Sequence, residues 1–229
     1  MVSRTAEPSR TKAKSAQTPQ TVNAYNDANS NQIAFPAAIL QPPYFHADLP
    51  AYLNYAVTGF TAGHEISHGF DDHGKEFGSD GAYGDSWWTP ATDAEYYRRA
   101  ECFVEQYGNF SVPGLDGKPL AVNGRQTLGE NIADAGGVDN AFLAWRQHVA
   151  DGGGDADLPG LQAWSHDQLF FIAYANGWCS NSRPNALVQQ VYGDGHAPAR
   201  FRVTGPLMDS RYFRETFGCA SKEPTCKIW

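Results

Sequence analysis

The chain contains 229 residues, of which 41% are hydrophobic and 13% aromatic, so its composition is that of a folded globular protein with a buried core. Its formal net charge of −8 argues against nucleic acid or an anionic membrane surface as the partner, because both attract basic surfaces. No run of about 18 apolar residues occurs, so no membrane span is expected.

Residues 1–17 differ in composition from the rest of the chain. They are polar and basic and lack the apolar stretch of a signal peptide, so we predict a disordered leader. A transit peptide and an artificial or misplaced start are the alternative interpretations. Residues 18–229 are predicted to form one domain.

Four cysteines allow three pairings if all are bridged: Cys102, Cys179, Cys219 and Cys226. Their spacing does not match that of a zinc knuckle. They favour an exported enzyme with disulfide bonds, whereas a chain without an export signal is expected to stay reduced in the cytosol. The composition leaves both interpretations open.

The N-terminal half is predicted to contain a β-hairpin followed by two helices. Residues 21–40 read as two short strands joined by a turn rich in Asn and Asp. A helix carries the motif at Gly63–Asp72, and small residues precede it. A second helix is expected from a cap at Thr92 or Asp93 to about Tyr107, because apolar residues recur with helical spacing.

The C-terminal half is predicted to be helical. After a loop at Pro113–Pro119, the apolar pattern predicts a helix from Leu128 to Val149. Three shorter helices follow, beginning at the capping box Ser165–Gln168, at Pro184 and at the cap Asp209, and ending near Cys179, before Gly193 and at Gly218. The sum is an α+β fold that is mostly helical, with a small sheet near its start.

The stretch Gly63–Asp72 reads Gly-His-Glu-Ile-Ser-His-Gly-Phe-Asp-Asp and contains the pattern H-E-x-x-H. On a helix, His64 and His68 project from the same face because they are four residues apart, so both imidazoles can bind one metal ion. The carboxylate of Glu65 lies beside them and can take a proton from a metal-bound water. The pattern predicts a zinc peptidase, although a short motif also arises by chance.

A catalytic zinc ion takes three protein ligands and leaves one position for water, so two histidines need a third donor. Glu130 is our candidate, and Asp134 lies one turn further along the same helix face. Asp134 and Asp71 are each placed to accept a hydrogen bond from the outer ring nitrogen of one histidine. His73 is rejected as the third ligand, because H-E-x-x-H-x-x-G-x-x-H requires Gly at position 71 and a histidine one position later.

The chain also resembles the neprilysin and endothelin-converting-enzyme family of zinc metallopeptidases, including its bacterial PepO-type members. The resemblance runs from about residue 18 to residue 229. It is carried by the ordered blocks Val22–Tyr25, Phe35–Pro43, Gly63–Asp72, Gly129–Asp134, Trp178–Cys179, His196–Pro198, Phe201–Arg202 and Cys226–Trp229. It implies a zincin-like catalytic domain with a small N-terminal hairpin, and a metalloendopeptidase that cleaves small peptides.

The resemblance implies a role for each matching residue. The implied catalytic set is His64, His68 and Glu130 as ligands of one Zn²⁺ per chain, Glu65 as general base, Asp134 as the residue that orients a ligand, His196 as oxyanion stabiliser and Arg202 as binder of a substrate carbonyl. From chemistry alone, His196 is equally well a surface residue. The implied peptide contacts are Asn23 and Ala24 along the substrate backbone, and Ile39, Tyr44, Phe60 and Trp178 around a large apolar side chain. In that pocket, Thr61 and Gly177 are smaller or more polar than the usual valines.

The chain departs from the family in length, because family members have a large helical N-terminal region that closes a chamber over the zinc. In the family, the residues matching Cys179 and Cys219 pair with cysteines of that region, so only Cys102 with Cys226 is expected here. We therefore expect the catalytic C-terminal part of a longer periplasmic or extracellular protein, whose partners are a peptide substrate and the missing N-terminal half. The chain is then an active zinc endopeptidase or, alternatively, a truncated zinc-binding fragment that is inactive without that half.

Overall fold

A computed structural model describes residues 17–84, 87–221 and 223–229. Within these residues the fold is mostly helical with small antiparallel sheets, which confirms the predicted fold class. The helices are α1 (Ala51–Asn54), α2 (Phe60–Ser67), α3 (Pro90–Gly108), α4 (Leu128–Ala150), α5 (His166–Gly177), α6 (Pro184–Gly193), α7 (Ala199–Asp209) and α8 (Arg211–Thr216). Strand β1 (Tyr25–Asp27) pairs with β2 (Gln32–Ala34), and β3 (Ser111–Pro113) pairs with β4 (Pro119–Ala121). Residues 1–16 of the predicted leader lie outside the described residues.

The predicted N-terminal hairpin is present but shorter than the sequence suggests. Asn26 stands opposite Ile33 in the antiparallel pair. The connection ends at Asn31, whose φ of 46° is in the left-handed region that asparagine tolerates better than most residues. Both strands of the hairpin contact α2.

The helix that carries the H-E-x-x-H motif is longer than predicted. It begins at Ala51, widens into a π-helical turn at Tyr55–Gly59, continues as α2 and ends in a 3₁₀ turn at His68–Phe70. Two threonine hydroxyls bond to carbonyl groups in this region: Thr61 donates to the carbonyl of Val57 over 2.9 Å, and Thr58 donates to that of Tyr44 over 2.7 Å. The small residues before Gly63 are therefore part of the helix rather than a segment preceding it.

Helix α4 contributes to both hydrophobic clusters of the core. Ile132 packs in a cluster with residues of α3 and α7, whereas Val138 and Trp145 pack in a second cluster with residues of α1 and α5. Neighbouring elements therefore cover α4 on several sides, and its N-terminal half lies against α2. None of the helices among the described residues is long and apolar enough to cross a membrane.

Two predicted helix caps are wrong by a few residues. Thr89, rather than Thr92 or Asp93, caps α3, and its hydroxyl accepts the N–H of Thr92. The helix begins early because Pro90 suits the first helical position, where no backbone N–H is required. Ser210, rather than Asp209, caps the last short helix through the N–H of Phe213.

Three of the elements, β3, β4 and α7, are not predicted from the sequence. The prolines of the segment Pro113–Pro119 suggested a loop, but they occupy the ends of β3 and β4, where the short ladder tolerates them. Helix α7 contains Pro206, a residue that normally interrupts a helix, so its sequence gives a weak helical signal. The predicted capping box is confirmed at Ser165 and Gln168.

The C-terminal segment is held against the domain by covalent and polar contacts. Cys102 and Cys226 form the disulfide that the family resemblance implies, while Cys179 and Cys219 are free. The N–H of Cys226 also donates to Asp209 Oδ1 over 2.8 Å. Asp209 is buried, and this burial raises the pKa of its carboxyl group to about 8.

The raised pKa of Asp209 predicts a pH-dependent stability. Because the folded-state pKa lies above the unfolded value, the folded chain binds more protons between about pH 4 and pH 8, so stability falls as pH rises through that window. The unfolding free energy of the chelator-treated parent chain should fall by something on the order of a few kcal/mol between these pH values. In Asp209→Asn most of this fall should be absent. The measurement is urea unfolding at several pH values, with the exposed Asp48→Asn as control. An unchanged pH slope in Asp209→Asn would contradict the prediction.

Candidate metal centre

Helices α2 and α4 cross at a pair of glycines. A Cβ added to Gly63 would lie 2.9 Å from the carbonyl oxygen of Gly137, and one added to Gly137 would lie 2.9 Å from the backbone nitrogen of His64. Both distances are shorter than ordinary contacts, so the two backbones approach closely only because side chains are absent here. This approach brings His64 of α2 and His68 of the following 3₁₀ turn to the acidic face of α4.

Three side chains predicted as metal ligands converge at this crossing. The Nε2 atoms of His64 and His68 are 3.0 Å apart. The carboxylate of Glu130 lies 3.2 Å from His64 Nε2 through one oxygen and 3.6 Å from His68 Nε2 through the other. Their candidate ligand atoms all lie within 4.8 Å of one another, which brings together two elements separated by some sixty residues of chain.

A second carboxylate holds each imidazole from behind. His64 Nδ1 lies 2.9 Å from Asp134 Oδ1, and His68 Nδ1 lies 2.7 Å from Asp71 Oδ2. The other oxygen of Asp71 accepts the backbone N–H groups of His73 and Gly74. Because an ionised carboxylate only accepts hydrogen bonds, this arrangement favours a proton on each Nδ1, which leaves each Nε2 available as a ligand when a cation is bound.

This donor set fits a zinc ion. Two imidazole lone pairs 3.0 Å apart repel one another unless a cation or a proton lies between them. Burial alone would lower the pKa of His64, but its contacts with Asp134 and Glu130 raise it to about 9, so these two carboxylates favour positive charge at this imidazole. Burial also opposes ionisation of Glu130, yet its contacts with His196 and His64 hold its pKa well below the usual range. Two neutral imidazoles and one carboxylate are a ligand set of catalytic zinc.

Glu65 lies beside these ligands without belonging to the cluster. Its side chain is 5% exposed and lines a cleft of about 440 Å³ together with His64, His68 and Glu130. Burial raises the pKa of Glu65, which the neighbouring histidines oppose. A carboxylate with a raised pKa at the edge of a metal cluster can accept a proton and later return it.

His196 and Arg202 approach the cluster from the C-terminal part of the chain. His196 Nε2 lies 3.2 Å from Glu130 Oε2, and its Nδ1 lies 2.8 Å from Asp194 Oδ1. Arg202 makes two hydrogen bonds to Asp134, of 2.7 and 2.8 Å, and its guanidinium stacks on Trp178 at 4.2 Å. Arg202 is therefore held behind His64 through the same carboxylate that orients this histidine.

Asn23 and Ala24 line the cleft directly before strand β1. The structure adds two contacts that the sequence did not indicate. Asn26 donates to the backbone carbonyl of Glu65 over 2.8 Å, which ties the hairpin to α2. Asp194 orients His196, and its position two residues before a histidine was the only signal that marked it.

A separate apolar cavity of about 90 Å³ lies next to His64. Three residues predicted for the apolar substrate pocket, Tyr44, Phe60 and Trp178, line it. Ile39 is buried but does not line this cavity. The other residues that line the 90 Å³ cavity are Ala56, Val57, Thr61, Tyr174, Gly177 and Arg202.

The close helix crossing makes Gly137→Ala a severe change for so small a side chain. The new methyl group would press against His64 and Phe60, so we expect α2 and α4 to separate and the unfolding free energy to fall by about 1–3 kcal/mol. Chemical denaturation of the chelator-treated chain measures this. Gly108→Ala is the matched control, because no atom lies within 4 Å of its added Cβ and alanine favours a helix. Equal stability of the two variants would show that the crossing is not tight.

Comparisons with known proteins agree with this geometry. The sequence profile of peptidase family M13 matches residues 23–227. Membrane metallo-endopeptidase-like 1 of Homo sapiens is 45% identical over 213 residues, which cover 91% of this chain and 27% of that protein. Neprilysin of Homo sapiens is 43% identical over 213 residues, which cover 91% of this chain and 28% of neprilysin. The crystal structure of the zinc metalloprotease Zmp1 of Mycobacterium tuberculosis, in complex with inhibitor, matches with a TM-score of 0.83 and 35% identity, covering 94% of this chain and 32% of that one.

The matches extend over nearly the whole chain, although the chain spans less than a third of the length of these relatives. The matched residues include the complete cluster of His64, His68 and Glu130. The chain therefore belongs to peptidase family M13, the family of zinc metallopeptidases that includes neprilysin and endothelin-converting enzyme.

Proposed function

We propose that this chain is a zinc-dependent metalloendopeptidase that hydrolyses peptide bonds in small peptides. The observation that carries the proposal is the convergence of His64, His68 and Glu130 on one point, with the buried Glu65 beside them. In this proposal these three residues hold one Zn²⁺, and Asp134 and Asp71 keep both histidines in the tautomer that ligation requires.

The protein groups around the metal are assigned complementary roles. Zinc bound by these ligands supplies a Lewis acid that acidifies water and polarises a peptide carbonyl. Glu65 takes the proton of the attacking water and passes it to the leaving amine. Glu130 and Asp194 raise the pKa of His196, which favours a ring that donates from both nitrogens, so Nε2 stabilises the developing oxyanion.

The substrate is proposed to lie along the cleft between the hairpin and α2. Asn23 and Ala24 would pair with its backbone at the exposed edge next to β1, as peptides do when they extend a sheet. The apolar cavity would receive the side chain that follows the cleaved bond, and Arg202 at the wall of that cavity would contact a substrate carbonyl.

Gly177→Val tests this assignment of the apolar cavity. A Cβ at Gly177 would lie 3.8 Å from a methyl group of Val57, so the larger side chain fits the wall but reduces the space for substrate. We expect the ratio of kcat/KM for a peptide with Phe after the cleaved bond to that for one with Ala to fall by about tenfold or more. Zinc content is expected to be unchanged. An unaltered ratio would place the recognised side chain elsewhere.

The second candidate function is a zinc-binding fragment that does not turn over. The observation that favours it is length, since the relatives of this chain are more than three times longer. In this case the ligands still bind the metal, but a substrate is held too weakly for cleavage.

One experiment separates these functions. Zinc per chain is measured by mass spectrometry of the metal, and cleavage of a fluorogenic peptide library is followed with and without a chelator. One zinc per chain with chelator-sensitive cleavage supports the endopeptidase, and one zinc without cleavage supports the inactive fragment. Absence of zinc at saturating metal would refute both.

The disulfide favours an oxidising compartment for this protein. Bridges such as Cys102–Cys226 persist mainly in the periplasm or outside the cell. We propose such a location, and expect non-reducing peptide mapping of protein recovered from its native source to find Cys102 linked to Cys226. Recovery of Cys102 and Cys226 as free thiols in that mapping would contradict an oxidising location.

A further inference from the structure

Lys75 is a buried lysine that none of the roles above requires. It is 3% exposed and lies in the short 3₁₀ turn Gly74–Glu76 that follows the motif helix. Its ammonium nitrogen lies 2.6 Å from Glu76 Oε1 and 2.6 Å from Asp93 Oδ1, at the start of α3. A buried lysine is rare unless its charge is paired, so these two carboxylates account for its burial.

Aromatic rings complete the enclosure of the Lys75 ammonium group. The nitrogen lies 4.5 Å from the ring centre of Tyr97, 5.6 Å from that of Tyr96 and 5.9 Å from that of Trp88. Burial alone would lower the pKa of Lys75, but hydrogen bonds with Asp93, Glu76 and Tyr97 raise it, so the amine stays charged. Cation–π contacts of a desolvated ammonium strengthen such an anchor.

The anchored turn is directly connected to the metal centre. The backbone N–H of Lys75 donates to the carbonyl of Asp71 over 3.2 Å. The N–H groups of His73 and Gly74 donate to Asp71 Oδ1, whose partner oxygen contacts His68 Nδ1. Gly74 also packs so tightly against the carbonyl group of His68 that no side chain fits there. The turn and the carboxylate of Asp71 therefore form one hydrogen-bonded unit.

We propose that Lys75 is a positioning residue for zinc binding, in which its ammonium group fixes the Gly74–Glu76 turn to α3 and thereby holds Asp71 against His68. The inference rests on the zinc site proposed above. Lys75 touches neither the metal ligands nor the substrate cleft. Its effect on zinc must pass through Asp71, and that dependence is what separates this role from a general contribution to stability.

The first test compares zinc affinity, by competition with a chromophoric chelator, in Lys75→Met, Lys75→Arg and the exposed control Lys118→Met. We expect Lys75→Met to weaken zinc binding about tenfold, the lower end of the effect of removing a residue behind a metal ligand. Lys75→Arg keeps the charge and should restore most of this loss, and Lys118→Met should bind zinc like the parent chain. Equal zinc affinity of Lys75→Met and the parent chain would overturn the proposal.

A double-mutant cycle with Asp71→Asn tests the route of the effect. If Lys75 acts through Asp71, zinc affinity of the double variant should match that of Asp71→Asn within about twofold. Additive losses would overturn the proposal. Should Lys75→Met fail to fold, Asp93→Asn removes one partner of the ammonium group and should give a smaller loss that again vanishes in the Asp71→Asn background.

A measurement without metal keeps the two proposals distinguishable. Amide hydrogen exchange by NMR in the chelator-treated chain should be at least about tenfold faster for His73 and Gly74 in Lys75→Met than in Lys118→Met. A parent chain that binds no zinc would refute the proposed function. The exchange measurement would still show whether Lys75 holds the Gly74–Glu76 turn in place. Unchanged exchange at both amides would refute the role of Lys75 in holding this turn, even if the parent chain binds zinc.

Discussion

Glu65→Gln is expected to reduce peptide hydrolysis by at least about 1,000-fold while leaving zinc bound, since general-base catalysis contributes factors of about 10²–10⁴. The amide is nearly the same size as the carboxylate, so the buried position next to the ligands should be filled without rearrangement. It cannot accept a proton at neutral pH. Activity is lost because attack on the carbonyl no longer has a base, not because the metal leaves.

The controls for Glu65→Gln separate catalysis from structure. Zinc per chain and the melting temperature should match those of the parent chain. Glu105→Gln makes the same chemical change on the exposed side of α3 and should cleave at the parent rate. Cleavage by Glu65→Gln within about tenfold of the parent would remove Glu65 from the mechanism.

Glu130→Ala is expected to weaken zinc binding by more than about 100-fold, beyond the 10–100-fold effect of losing a residue behind a ligand. The variant removes one of the three converging donors and also the carboxylate that contacts His196. Two imidazoles on one helix remain, which is too few for a catalytic zinc site.

Thermal stabilisation by zinc gives an independent readout of Glu130→Ala. A metal present at 100 times its dissociation constant stabilises the folded parent chain by about 2.7 kcal/mol, and a 100-fold weaker site loses nearly all of this. Asp71→Asn should show an intermediate response, since both imidazoles and Glu130 remain. If zinc raised the melting temperature of Glu130→Ala as much as that of the parent, Glu130 would not be a ligand.

The sequence predicted the pairing of His64 with His68 because helical spacing is a local property. The placement of Glu130 depends on the approach of α2 and α4 at Gly63 and Gly137, which neither helix specifies by itself. The need for a third zinc donor nominated Glu130, with Asp134 one turn further along the same helix face, and the family resemblance implied the same ligand. Sequence patterns gave no indication of the Asn26 bond to Glu65, because it joins a turn-rich hairpin to a helix through one side chain.

The wrong boundaries also have local physical reasons. Two prolines occupy helical positions that are not predicted from the sequence. Pro90 starts α3 earlier than the polar cap candidates suggest, and Pro206 lies inside α7. Proline is excluded only where a backbone N–H is needed or where its ring meets the preceding turn. Asp209 looked like a cap, but it is buried and binds the N–H of Cys226, a partner that lies seventeen residues away.

The π-helical turn at Tyr55–Gly59 influences the direction in which the two proposed zinc ligands of the motif helix, His64 and His68, face. Each residue of an α-helix advances the chain by about 100° around the axis, so the wider turn shifts the angular phase of everything that follows it. Deleting one residue in this turn would keep the helix continuous, with Tyr52 still buried in the core. The rings of His64 and His68 would then be rotated away from Glu130 by roughly a quarter of a revolution. The extra residue of the π-helical turn thus sets the angle between Tyr52 and the two histidines, and we expect its deletion to weaken the proposed zinc binding although every proposed ligand is retained.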